Sequence, residues 1–225
     1  MPSRDDERSV TRGEILALRL AQRAGIETAA ARIELVQGTP VAVISRFDRT
    51  AWQGRIPYLS AASMLQAGCN EERTYAEVVD VLNASALSAR ADAQQLWRRL
   101  AFNHLITNVD DHLQNLGFLH AGNGLWRLAP AFDLNPFPDR DRESKTWLSA
   151  DTGPIASVGS LLDEAARFYL DRTAALAVLG EVHAAVSRWR ALATSAEVGL
   201  TAQEAEDFAP AFEHAGMETA RAFLI

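Results

Sequence analysis

Apolar positions spaced three and four apart dominate the chain, and they are interrupted by two short stretches that alternate or run apolar. Thr11-Arg-Gly-Glu14 has the pattern of a capping box, with Ile15, Leu16, Leu18 and Leu20 following it and Gly25 where a helix stop prefers a left-handed residue. A helix over about 12–24 is expected. Arg32 to Gln37 and Val41 to Phe47 are β-rich and separated by Gly38-Thr39-Pro40, the signal of a hairpin. A second capping box, Thr74-Tyr-Ala-Glu77, opens a helix to about Leu82. Ala91 to Asn108 carries helical spacing through Leu96, Leu100 and Ile106. A polar loop follows over Val109 to Asn115. The apolar runs Leu116–His120 and Leu125–Ala129, joined by Ala-Gly-Asn-Gly, predict another hairpin.

Beyond a loop rich in Pro, Asp and Arg at 135–146, Ser160–Leu170, Arg172–Leu192 and Ala202–Leu224 read as alanine-rich amphipathic helices. Strands come early and helices late, so the expected class is α+β with helix predominating, not alternating βαβ units. The change from strands to helices places a boundary near Thr50–Leu59, dividing 1–50 from 51–225.

Composition narrows the function classes. The chain has 225 residues, 48% hydrophobic and 23% charged, enough for one large core or two modest ones. A net charge of −7 argues against a general binder of nucleic acid or anionic membrane. The opening MPSRDDERS is neither signal peptide nor anchor, and no apolar run is long enough to span a bilayer. A soluble, cytoplasmic protein is expected. Cys69 is the single cysteine, which excludes an intrachain disulfide and a thiolate cluster; it reads as an inert buried thiol. Of 22 basic residues only Lys145 is a lysine, so any mechanism that needs one has a single candidate.

One constellation carries chemistry. Asp110-Asp111-His112-Leu-Gln-Asn115 precedes the second hairpin, and Ala131-Phe132-Asp133-Leu134 follows it. Phosphoryl transfer needs a carboxylate to orient an attacking hydroxyl and take its proton, and oxygen ligands to hold Mg²⁺ against nucleotide phosphates. In protein kinases the loop Asp precedes a metal-binding Asn by five positions, and a hairpin then leads to a metal-binding Asp. Asp110, Asn115 and Asp133 have that order. A polar turn would account for the residues locally, since Asp and Asn are common in turns.

The stretch Ile106-Thr-Asn-Val-Asp-Asp-His-Leu-Gln-Asn115 with Trp126-Arg-Leu-Ala-Pro-Ala-Phe-Asp-Leu134 resembles the HipA-like serine/threonine kinases, whose pattern is N-x-D-x-H-x-x-N followed by R-L-A-P-x-Y/F-D. Glu14, Gly25 and Ser45-Arg46-Phe47-Asp48-Arg49 are family-like as well. The resemblance covers about 10–150 and weakens through the C-terminal helices. It implies a kinase-like helical catalytic lobe with a remnant of the small β-containing lobe and a hinge near 46–49. It makes Asp110 the catalytic base, Asn115 and Asp133 the Mg²⁺ ligands, and Phe47 the hinge residue beside adenine. His112 would contact phosphate or order the loop; a histidine that merely fills the loop fits equally. Asp111 receives no role, and Lys145 reads as a solvated loop lysine.

Implied cofactors are ATP and Mg²⁺. Implied partners are a protein carrying a Ser/Thr acceptor and a small helix-turn-helix antitoxin. The family's amino-terminal lobe, with its phosphate-covering loop and strand lysine, has no counterpart in the first ten residues. Three expectations follow: a preceding portion, a separate polypeptide supplying that lobe, or a catalytically silent relative acting as a protein-binding module.

Overall fold

The computed structural model describes residues 9–52, 54–68, 71, 73–138 and 143–225. Cys69 and positions 139–142 of the polar loop lie outside the described residues.

Helix α1 (Val10–Arg23) is followed by the antiparallel strands β1 (Ala31–Val36) and β2 (Thr39–Ile44). α1 buries Ile15, Leu16, Leu18 and Leu20 as its spacing requires. Its start corrects the sequence reading. Thr11 lies inside the helix, and the residue at the cap is Ser9, whose hydroxyl bonds instead to the Glu204 carboxylate. The hairpin turn is also one step earlier than expected. Gln37 and Gly38 occupy it with φ of 52° and 83°, the two positive values of a type I′ turn, so Thr39 and Pro40 already belong to β2. Leu35, Val36, Val41 and Ile44 of this hairpin are exposed.

Strand β3 (Tyr58–Ser60) and the one-turn helix α2 (Ala61–Met64) lead to α3 (Tyr75–Ser85) and α4 (Ala89–Leu105). The capping box at Thr74 is present in full, with Thr74 and Glu77 each bonding the other's backbone N–H. Strands β4 (Gly117–Gly122) and β5 (Leu125–Leu128) form the expected hairpin around Asn123-Gly124, and β3 adds to its outer side in the order β3-β4-β5. A small ladder of β6 (Trp147–Ser149) and β7 (Gly153–Pro154), which hydrophobic patterning did not reveal, precedes α5 (Val158–Asp163) and a 3₁₀ turn at Ala165–Phe168.

The chain closes with α6 (Arg172–Val186), α7 (Trp189–Ala193), α8 (Ala202–Phe212) and α9 (Ala215–Phe223). The three long helices expected here are therefore each broken. The first stops at Asp163 and passes through Glu164 into the 3₁₀ turn, which Tyr169 closes with a left-handed backbone (φ 61°). At Ser187 the hydroxyl bonds back to the His183 carbonyl at 2.8 Å, competing with the helical ladder. At His214 the ring Nδ1 accepts from Gly216 N–H at 3.1 Å and starts α9 afresh.

α4 is the central helix. Ala93, Leu96, Trp97, Leu100, Ala101 and Leu105 are buried against α3, α5, α6 and α9, and the Trp97 indole N–H donates to the Leu161 carbonyl at 2.9 Å. α1 joins the same apolar core through contacts with α6 and α7. Among the described residues no helix is long and apolar enough to cross a membrane.

Candidate active site

The loop after α4 starts from a strained helix end. The N–H groups of Thr107 and Asn108 bond to the carbonyls of His104 and Asn103, which is the Schellman pattern. That pattern puts Thr107 in the left-handed region at φ 53°, where glycine is usual and a β-branched residue is costly. Contacts from distant segments hold it there: Thr107 Oγ1 donates to the Ala211 carbonyl at 3.0 Å, and Phe137 N–H donates to the Thr107 carbonyl at 3.1 Å. Asn108 is buried, with its Nδ2 on Asn103 and its Oδ1 accepting from Asn135 N–H.

From that anchor the loop presents Asp110 outward and Asp111 inward. The Asp110 side chain is 31% exposed. Its backbone carbonyl accepts from Asn115 Nδ2 at 3.1 Å, closing the loop on itself. Its Oδ1 lies 3.7 Å from His112 Nε2 and forms an ion pair with Lys145 Nζ. Lys145, expected to be a solvated loop lysine, thus reaches the candidate base.

Asp111, to which the sequence assigned nothing, is the tether of the region. It is 5% exposed. Its carboxylate accepts from the Tyr75 hydroxyl at 2.9 Å, the Ser144 hydroxyl at 2.5 Å and the Lys145 N–H at 2.8 Å, while its carbonyl accepts from Thr146 Oγ1 at 2.8 Å. Burial pushes the Asp111 carboxyl above its ordinary pKa, and the hydrogen bonds from Ser144 and Tyr75 oppose that rise. The buried Tyr75 phenol is driven well up by burial and then by the Asp111 charge, so at neutral pH it remains a donor.

The second carboxylate arrives on the strand exit. Ala129 is fixed by Gly117, whose carbonyl accepts its N–H, and by Arg99, which donates to its carbonyl at 2.7 Å. Ala131 is held by bonds to Glu27 and Ala29, the segment just after α1. Asp133 then takes φ 53°, a left-handed value that Asp tolerates better than most residues, and its Oδ1 accepts from Asn135 Nδ2 at 3.0 Å.

His112, Asn115 and Asp133 line one small cavity, together with Asp111 and the buried Arg99. Burial lowers the Arg99 guanidinium to about 10, so it keeps its charge at neutral pH. Asp133 also lines a larger cavity of about 550 Å³ with Glu14, Phe47, Asp48, Tyr58, Gln114 and Phe132. Phe47 packs there on Phe132 and Tyr58, at centroid distances of 5.5 and 6.0 Å. Of the five residues the sequence singled out, Phe47, His112, Asn115 and Asp133 therefore border two cavities that share Asp133. Asp110 is in the wall of neither and connects through Asn115 and His112.

The donor chemistry fits a hard divalent cation. Asn115 commits its amide nitrogen to Asp110, which leaves the carboxamide oxygen as its ligand atom, on a residue that lines the same small cavity as Asp133. Glu14, across the larger cavity, has its pKa raised by burial and then by the Asp133 charge. Two carboxylates in one another's field are what a cation would relieve. The basic residue on that wall, Arg46, is committed to Asp48 through bonds of 2.8 and 2.6 Å, and these draw the Asp48 carboxyl down to about 2.

Comparison with known proteins identifies the family and the fold. Residues 2–190 match the family model of the HipA-like C-terminal domain. Among solved structures, the HipA toxin of Shewanella oneidensis MR-1, determined with HipB and operator DNA, superposes with a TM-score of 0.76 at 17% identity, over 97% of this chain. This chain spans 57% of that toxin's length. The proinflammatory kinase CtkA of Helicobacter pylori superposes with a TM-score of 0.63 at 14% identity, covering 94% of this chain and 86% of the kinase. No curated protein matches. The fold is thus a mixed α and β one, shared with these two structures. On the match over most of its length, the chain belongs to the HipA-like C-terminal domain family.

Proposed function

We propose that this chain carries the catalytic lobe of a toxin-type protein serine/threonine kinase, using ATP and Mg²⁺ in the cytoplasm. The observation that carries the reading is the shared position of Asp133, which borders both the cavity holding the Asn115 carboxamide and the aromatic cavity beside Phe47. A nucleotide lying along that line would have its base near Phe47 and its phosphates near the two oxygen ligands.

In this reading an acceptor hydroxyl is oriented by Asp110. Its oxygen bonds to the γ-phosphorus as the bond from that phosphorus to the β-bridging oxygen breaks. The hydroxyl proton passes to Asp110, and ADP leaves. Asn115 and Asp133 would hold Mg²⁺, which supplies neutralisation of phosphate charge. The β1–β2 hairpin and residues 46–49 are read as the remnant of the small lobe and its hinge, so that the division falls near residue 50. The outward apolar positions of that hairpin suit a further lobe, from the same or a separate chain. A helix-turn-helix antitoxin is the proposed regulatory partner, and the proposed acceptor is a Ser/Thr of another protein.

A second reading, a catalytically silent protein-binding module, draws on one observation: the aromatic cavity's wall has no lysine, and Arg46 is held by Asp48. Calorimetry with Mg-ATP separates the two. Binding that is lost on adding EDTA and in Asp133→Ala supports the kinase lobe. Absence of binding by this chain, persisting when a lysine-bearing front lobe is supplied, supports the module.

A further inference from the structure

We infer that Lys145 is a catalytic residue of this site: its ammonium group receives the oxygens of the γ-phosphoryl group in transfer, exchanging Asp110 for them. The inference rests on the kinase reading above.

The placement of Lys145 is built, and it does not depend on the lysine side chain. The backbone N–H of Lys145 donates to Asp111 Oδ1 at 2.8 Å. The residues on either side, Ser144 and Thr146, donate their hydroxyls to the Asp111 carboxylate and carbonyl. The segment is therefore bolted to the loop that carries Asp110, and Nζ meets the Asp110 carboxylate from that fixed base.

Stability does not explain the contact. The Lys145 side chain is 58% exposed, and an exposed pair of this kind contributes little to stability. A contact so cheap to break suits a group that changes partners.

Chemistry does explain it. The transition state spreads charge over the three equatorial oxygens of the γ-phosphoryl group, and a cation aimed at them supplies much of the rate. On the Phe47 side, Arg46 is engaged by Asp48. Lys145 instead meets Asp110, the base proposed to orient the acceptor. Every other one of the 22 basic residues is an arginine. A compact ammonium with three rotatable donors can pass from a carboxylate to a phosphoryl oxygen, where a planar guanidinium would tend to stay locked in its fork on the carboxylate. In the step itself Lys145 keeps its proton; only the acceptor's proton moves, to Asp110.

A single lysine makes the test unambiguous. The probe is an ATP γ-acyl phosphate, whose acyl carbon is attacked by a nearby lysine amine, forming an amide and releasing ATP and a proton. Peptide mapping is expected to find the acyl label on Lys145, with excess Mg-ATP abolishing it; the α-amino group serves as the unprotected control. If calorimetry shows Mg-ATP binding and Lys145 remains unlabelled or unprotected, the inference falls and the kinase reading stands. If Mg-ATP does not bind even when a lysine-bearing front lobe is supplied, the kinase reading falls and the inference with it.

Kinetics of the active protein supply a second readout. Lys145→Met should lower kcat about 100-fold, the size expected for losing one transition-state donor, with the KM for ATP within about threefold and Tm unchanged. Lys145→Arg should recover part of the loss. Wild-type kcat in Lys145→Met would overturn the assignment.

Discussion

Adjacent aspartates with opposite duties give the sharpest prediction. Asp111→Ala removes the carboxylate that accepts from the Tyr75 hydroxyl, the Ser144 hydroxyl and the Lys145 N–H, at 2.9, 2.5 and 2.8 Å. The two hydroxyls keep backbone carbonyls of Asp111 and Thr146 as acceptors, so the Lys145 N–H is the donor most affected. Each hydrogen bond to a charged acceptor contributes about 1.5–3 kcal/mol, and a buried donor left without a partner costs a further fraction of that. Against this stands relief of the carboxylate's burial, which its raised pKa makes plain. A net loss of about 2–4 kcal/mol follows, which for a chain of this size is a fall in Tm of about 5–15 °C.

The pH dependence has a definite sign. A folded-state pKa above the unfolded value means that the contribution from Asp111 protonation is fully present below the ordinary value of 3.8, and is lost as pH rises through the folded pKa. Asp111→Asn keeps an acceptor and sheds the buried charge, so it should lose less than Asp111→Ala at neutral pH. Asp110→Asn, on a part-exposed side chain, should leave Tm within about 2 °C and slow phosphoryl transfer by a factor on the order of 10² to 10⁴. Calorimetric or fluorescence melting of the three variants checks the set. An Asp111→Ala variant melting within about 2 °C of wild type would refute the claim that this carboxylate tethers the 144–146 segment.

Other outcomes follow from the same geometry. A Cβ on Gly117 would overlap the Tyr58 ring, so Gly117→Ala must displace a wall of the aromatic cavity. It should cost about 1–3 kcal/mol in a urea melt and weaken Mg-ATP binding; unchanged affinity would mean that Tyr58 does not shape the nucleotide site. Glu204 has its pKa lowered by the Ser9 hydroxyl and then by the Thr201 N–H. Its contribution should therefore be present above the ordinary value of 4.5 and vanish as pH falls through the lower folded value. The difference in denaturation midpoint between wild type and Glu204→Gln should accordingly shrink to nothing in acid, and a difference independent of pH would contradict that assignment.

Much of this site could be read from spacing. The five-residue offset from Asp110 to Asn115, the Asn-Gly hairpin and the Thr74 capping box are local signals, and they lie where local physics puts them. Long-range partners account for what was missed. Asp111 looks like a turn residue until Tyr75, 36 positions earlier, and Ser144, 33 later, close on it. Lys145 stood out as the single lysine of an arginine-rich set, but its contact with Asp110 depends on that tether. The Thr11 box failed because α1 begins earlier and its first turn meets Glu204 of α8. The C-terminal helices are interrupted where single side chains, Ser187 and His214, bond to backbone, an effect that apolar periodicity does not register.

Phosphoryl transfer itself bears most directly on the central claim. The protein, with any front lobe it requires, should move label from [γ-³²P]ATP to a serine or threonine hydroxyl in the presence of Mg²⁺. Asp110→Asn should reduce the rate by a factor on the order of 10² to 10⁴ while its Mg-ATP affinity stays close to wild type. Full transfer by Asp110→Asn would contradict the account, because the loop carboxylate would then have no part in the chemistry.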